Sequence, residues 1–89
     1  MALYRIRRDV GVMSDEDMDA AAFRAIVCLV QFPGLKWERS YWDRSTGSLD
    51  CYYRAESIDQ IHEHSRVARI PCDDVRPVDE LLPDTYLNG

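Results

Sequence analysis

Leu35-Lys36-Trp37-Glu38-Arg39-Ser40-Tyr41-Trp42-Asp43-Arg44-Ser45-Thr46-Gly47-Ser48-Leu49-Asp50-Cys51-Tyr52-Tyr53-Arg54-Ala55 is the stretch on which the fold turns. From Leu35 to Trp42 the residues alternate. Leu35, Trp37, Arg39 and Tyr41 share one face, against Lys36, Glu38, Ser40 and Trp42, which is the period of a strand. Asp43 to Gly47 is a turn by composition. Ser48 to Ala55 reads as a second strand, with Leu49, Cys51, Tyr53 and Ala55 facing one way. Two strands joined by a short loop ending in glycine make a hairpin.

Upstream of the hairpin, Leu3 to Val10 alternates as well. Tyr4, Ile6 and Val10 lie on one face and Arg5, Arg7 and Asp9 on the other; Arg8 falls on the apolar face and is at odds with a plain strand. After Gly11, Ser14 followed by Asp15, Glu16 and Asp17 starts a helix, because the hydroxyl accepts an orphan amide hydrogen and the acids suit the positive end of the helix dipole. Met18, Ala22, Ala25, Ile26 and Leu29 predict its buried stripe, and Phe32-Pro33-Gly34 ends it.

Downstream, Ser57 with Gln60 forms a capping box. Ile58, Ile61, Ser65 and Ala68 predict the inward stripe of a second helix, which Pro71 stops. Val75 and Val78 mark a short last strand, and Pro77 removes a ladder donor, which places that strand at a sheet edge. The order is βαββαβ. The expected fold is therefore α+β and ferredoxin-like: an antiparallel four-stranded sheet of order 4-1-3-2, two helices on one face, and two subunits joined as a dimeric α/β barrel. Residues 1–80 form this domain. Residues 81–89, with Leu81, Leu82, Tyr86 and Leu87, are expected to be an arm packed on the domain or on a partner subunit.

The 89 residues leave room for one domain, whose own core is marginal. Three cysteines do not make a disulfide framework, so a homodimer is the expected source of extra stability. With 16 acidic against 11 basic residues and a net charge of −5, the chain lacks the drive for nucleic-acid binding. No apolar run is long enough to cross a bilayer. The N-terminal residues alternate charge with apolar side chains, unlike a signal peptide, so a cytoplasmic location is expected.

His62 and His64, two apart on a helix, point away from each other. Each flanks the buried stripe, where a hydrogen-bonded, half-buried histidine is the commoner occupant than a ligand. His62 can pair with Asp59, with Glu63 nearby. Cys28 and Cys51 fall at core positions. Cys72 lies in a loop beside Asp73 and Asp74, a poor nucleophile but a soft metal ligand. Asp73-Asp74 and Asp79-Glu80 could take a hard cation, although solvated surface is the commoner role. Among Trp37, Tyr41, Trp42, Tyr52 and Tyr53, those pointing away from the helices leave an aromatic patch that suits an interface or pocket.

The segments Trp37-Glu38-Arg39-Ser40-Tyr41, Cys51-Tyr52-Tyr53 with Ala55, Ile61-His62-Glu63-His64-Ser65, Ile70-Pro71-Cys72-Asp73-Asp74-Val75 and Leu82-Pro83-Asp84-Thr85 together resemble a known family. It comprises small, mostly bacterial ferredoxin-like proteins of unassigned function, and includes an actinobacterial dimeric nickel-binding protein. Cys51, Glu63, His64, Pro71 and Val75 match its motifs. Arg69 stands where the family usually has a helix-ending glycine, and Ser65 replaces the usual alanine. The resemblance implies the fold, a dimer and, more loosely, nickel.

Three expectations follow. The leading one is a cytoplasmic homodimer binding nickel or another divalent transition metal for sequestration or sensing. His64 or His62 would supply nitrogen, with Glu63 or Asp59 and with Cys51 or Cys72, since imidazole and thiolate suit such ions. The second is a cofactor-free small-molecule-binding or enzymatic dimer, its pocket lined by Trp37, Arg39, Tyr41 and Tyr53, with His64 or Asp50 as general base. The third is an interaction module without a site.

Overall fold

A computed structural model describes residues 1–87. The chain runs β1 (Ala2–Asp9), α1 (Asp15–Cys28), a 3-10 turn (Leu29–Gln31), β2 (Lys36–Asp43), β3 (Ser48–Ala55), α2 (Ile58–Ala68), β4 (Asp74–Pro77) and α3 (Pro83–Leu87). The strands form one sheet of order β2-β3-β1-β4, every neighbouring pair antiparallel. This is the ferredoxin-like arrangement expected from the hairpin and its flanks. Pro77 sits in β4, which pairs only with β1 and so lies at the edge, where its missing N–H breaks no ladder bond.

Local chemistry sets the element ends. The Ser14 hydroxyl accepts from the Asp17 amide at 3.1 Å, and Asp15, Glu16 and Asp17 fill the first turn of α1. Ser57 caps α2 by accepting from the Gln60 amide, while Gln60 Oε1 accepts from the Glu56 amide at 3.1 Å. The hairpin turn closes on Gly47, whose φ of +72° suits glycine. A Cβ there would lie 2.7 Å from the Gly11 carbonyl oxygen, so the turn and the β1–α1 loop meet where no side chain fits.

The core lies between the sheet and the helices. Ile6, Leu35, Cys51, Tyr53, Ala55 and Ile61 form it, with Tyr4, Leu29, Phe32 and Val75 packed on its margin. Each fully buried isoleucine contributes about 1.5–3 kcal/mol.

Three sequence expectations change. In α2, Ile58 at the first turn is exposed, while Ile61, Ser65 and Ala68 of the predicted stripe are buried. In α1 the predicted stripe is rotated: Ala21 and Ala25 are buried, whereas Ile26 is exposed. The small Ala face lets α1 approach α2 closely enough for its backbone to meet His64, and Phe23, Ile26, Val27 and Val30 turn to solvent. In β2 the alternation breaks at a bulge between Trp37 and Arg39. The extra residue, Glu38, reverses the faces that follow. Trp37 pairs with Tyr53, Ser40 with Cys51 and Trp42 with Leu49 on the helix side; Arg39 pairs with Tyr52 and Tyr41 with Asp50 on the open side.

The arm at 81–89 contains the short helix α3, and residues 88–89 lie outside the described residues. Leu81, Leu82, Tyr86 and Leu87 are exposed, so the arm does not bury its apolar residues against its own domain. No helix among the described residues is long and apolar enough to cross a membrane.

Candidate functional site

Arg8 alternates with Ile6 on the inward face of β1, which carries its guanidinium into the core, 1% exposed. A charge that cannot be lost by deprotonation must there be satisfied by hydrogen bonds. Nε donates to Cys51 Sγ at 3.4 Å, and Nη1 donates to Ser65 Oγ at 3.0 Å and to the Pro71 carbonyl. None of these acceptors is a carboxylate. Nη2 is buried without an acceptor among the described residues. The Arg8 Cζ stands 5.9 Å from the centre of the Tyr53 ring, and burial pushes the Tyr53 phenol well above its ordinary range, so it stays protonated.

His64 is a core residue. Its Nε2–H donates to the Ala25 carbonyl at 2.8 Å, and Phe32 meets its ring edge-on at 5.6 Å between centroids. Burial, with a smaller contribution from the nearby Arg8 charge, holds it below the ordinary histidine range despite the Ala25 bond. It is neither a ready ligand nor a free base.

The remaining expected ligands divide sharply. Cys51 is buried under Arg8. Glu63 is exposed and ion-paired to Arg66 at 2.8 Å, and Asp59 lies exposed in the first turn of α2. His62 and Cys72 are brought together: His62 Nδ1 lies 3.5 Å from Cys72 Sγ on the surface. The described residues contain no group of three or more His, Cys, Asp or Glu side chains that could hold a metal. Three of the four carboxylates in the acidic pairs are engaged by arginine or backbone. Asp74 pairs with Arg5 and Arg76, Glu80 with Arg39 and Arg54, and Asp73 accepts from the Asp9 amide.

The expected pocket set is split by the β2 bulge. Trp37 and Tyr53 face the helices, their rings nearly parallel at 6.2 Å. Arg39 and Tyr41 lie on the opposite face, where Tyr41 meets Tyr52 edge-on. Asp50 is also on that face, in a two-armed pair with Arg7 at 3.0 and 3.2 Å that holds its carboxyl below the usual range. Neither His64 nor Asp50 lines the cavity to which Trp37 and Tyr53 belong. That cavity, about 260 Å³, lies between the sheet and α1, and Arg8, Trp37, Trp42, Leu49 and Tyr53 contribute to its walls. The sequence reading missed Arg8 and Trp42 as site residues. Their signals were an arginine at an inward position and a tryptophan assigned to the solvent face.

A family model described as nickel responsive protein SCO4226-like matches residues 4–78. The crystal structure of SCO4226 from Streptomyces coelicolor A3(2) superposes with a TM-score of 0.80 at 13% identity, covering 91% of this chain and 100% of that one. No curated protein matches the chain. At that identity the superposition speaks for the fold, whereas the family match spans α1, α2, β2, β3 and β4 and all but the first two residues of β1. The chain belongs to the SCO4226-like nickel responsive protein family.

Proposed function

We propose that this protein takes part in a nickel response by holding a divalent transition-metal ion at His62 and Cys72, for sequestration or sensing in the cytoplasm. The observation that carries this reading is the 3.5 Å between His62 Nδ1 and Cys72 Sγ. An imidazole nitrogen and a thiolate on one tetrahedral ion lie about 3.5 Å apart, from bonds of roughly 2.0–2.1 and 2.3 Å. A square-planar nickel site draws them somewhat closer, which rotation of the exposed His62 allows. The two residues fit as part of a ligand set. The remaining positions stay open to solvent or to a second copy of the chain, which we also propose forms a homodimer. The family name supports nickel as the ion.

Titration of tag-free protein with Ni²⁺, followed by calorimetry and by thiolate-to-nickel absorption, tests the reading. His62→Ala and Cys72→Ser should each weaken binding at least about tenfold, roughly 1.4 kcal/mol. His64→Gln should leave it unchanged. Unaltered affinity in the His62→Ala, Cys72→Ser double variant would sink the assignment.

A further inference from the structure

We propose that the cavity between the sheet and α1 binds a small aromatic monocarboxylate, its carboxylate held by Arg8 and Trp42 and its ring lying among Trp37, Trp42 and Tyr53. This site is separate from the His62–Cys72 pair and does not depend on it.

Charge is the first argument. Arg8 is a buried cation whose hydrogen bonds all go to neutral groups, and leaving a guanidinium without an anion in a dry interior is costly. The chain has 16 acidic residues, yet none of the described residues lining this cavity is acidic, while Arg8, Arg24 and Arg69 all line it. The cavity is thus positive inside a protein that is negative as a whole.

The second argument is donor geometry. Among the described residues, Arg8 Nη2 and Trp42 Nε1 are both buried without acceptors. They come from one row of the sheet: Arg8 pairs with Leu49 across β1 and β3, and Leu49 pairs with Trp42 across β3 and β2. The outer two backbones of such a row stand about 10 Å apart. Both side chains line the same cavity, the Arg8 head lying near Cys51 and Tyr53. A carboxylate has two oxygens with about four lone-pair sites and can accept from both donors at once.

Size and shape select the body of the ligand. A volume of about 260 Å³ is that of roughly nine waters at about 30 Å³ each, a size suited to a benzene ring bearing one carboxylate. The Trp37 and Tyr53 rings, stacked with their planes 7° apart, give the cavity an aromatic wall suited to a further ring. No aspartate, glutamate or histidine among the described residues lines it, so the donor set binds an anion without supplying a base to transform it.

The two tryptophans of the chain both line this cavity, so their fluorescence reports its occupancy directly. Purified protein at pH 7 is titrated with benzoate, phenylacetate and the neutral isostere benzamide, with thermal unfolding recorded alongside. At least one of the acids should shift the emission saturably and raise Tm, and benzamide should bind at least about tenfold more weakly. Trp42→Phe, in which Trp37 still reports, should weaken the acid about tenfold. Arg8→Met should abolish the preference for acid over amide. Should Arg8→Met fail to fold, the benzamide comparison and Trp42→Phe still decide the matter. His62→Ala should bind the acids as the parent does, which separates this site from the metal reading. Equal response to acid and amide would overturn the proposal, as would unchanged emission and Tm with both acids at about 10 mM, where even weak millimolar binding is visible.

Discussion

His64 is held neutral by its surroundings: burial against Phe32 and Tyr53 is the larger cause and the Arg8 charge on β1 the smaller, and together they outweigh the hydrogen bond to the Ala25 carbonyl of α1, which favours the charged ring. Its folded pKa lies below the ordinary 6.5. As pH falls, the imidazole therefore takes up its second proton first in the unfolded chain, and the stability the neutral ring contributes is present above about pH 6.5 and lost below it. Unfolding free energy from urea melts should be level near pH 7–8 and fall toward pH 5, above the range in which the depressed Asp43, Asp50, Glu63 and Asp74 act. His64→Gln, which keeps an N–H donor, should flatten that decline; a slope as steep as the parent's would refute it. Arg69 gives a second prediction. It ends α2 in the left-handed region at φ 58°, ψ 50°, which costs a residue with a Cβ about 1–2 kcal/mol. Arg69→Gly should raise stability by about 1 kcal/mol after the glycine's extra unfolded-state entropy is subtracted, read as an increase in Tm. That position was legible, because the family resemblance puts glycine there. The burial of Arg8 was legible from strand parity alone. Its partners were not, because Cys51, Ser65 and Pro71 lie 43, 57 and 63 positions away and only the folded sheet assembles them.

The hairpin separates what periodicity can carry from what it cannot. Strand identity, turn and pairing partner all follow from alternation and from the glycine-ending loop, and β3 runs from Ser48 to Ala55 as read. The bulge at Glu38 has no compositional mark, because Lys36-Trp37-Glu38-Arg39 reads as an unbroken strand. The one hint was Trp42 among polar residues on the supposed solvent face. Opposite mutational costs follow for neighbours in sequence. Trp42 faces the helices with its indole N–H buried, while Tyr41 is 63% exposed. Trp42→Ala should cost about 2–3 kcal/mol, below the range for a fully buried tryptophan because the side chain is only half-buried. Tyr41→Ala should cost about 1 kcal/mol or less, the value of its edge contact with Tyr52. Urea denaturation of the two variants measures both, and the reverse order would restore the unbulged register. The rotation of α1 was hidden for a related reason. Its apolar residues nearly encircle the helix, so spacing alone does not say whether Ala21 or Ile26 faces inward, and the contact with His64 decides it.

Taken as one body, the chain keeps a small core and leaves two apolar sets in water. Phe23, Ile26 and Val27 on α1 and Val30 in the 3-10 turn after it recur at helical spacing, and Leu81, Leu82, Tyr86 and Leu87 stand on the arm. The open face of the sheet differs in kind: Arg7–Asp50, Arg54–Glu38 and Arg39–Glu80 cover it with ion pairs. A homodimer closed through that face, as in a dimeric α/β barrel, would have to desolvate those charges, and its strength would depend on salt. One closed through α1 and the arm would bury hydrocarbon that is already unpartnered, at about 25 cal/mol per Å² removed from water. The second closure is favoured on this comparison. Light scattering at micromolar protein should then give a dimer that persists in about 1 M salt, where charges more than about 3 Å apart are screened. Val27→Glu, a solvent-facing change that leaves the monomer fold intact, should convert it to monomer. A dimer that Val27→Glu leaves unchanged and that high salt dissociates would instead place the contact on the sheet. A parent chain that is monomeric under both conditions would remove the homodimer from the account, and the His62–Cys72 pair would then have to complete any metal site with solvent alone.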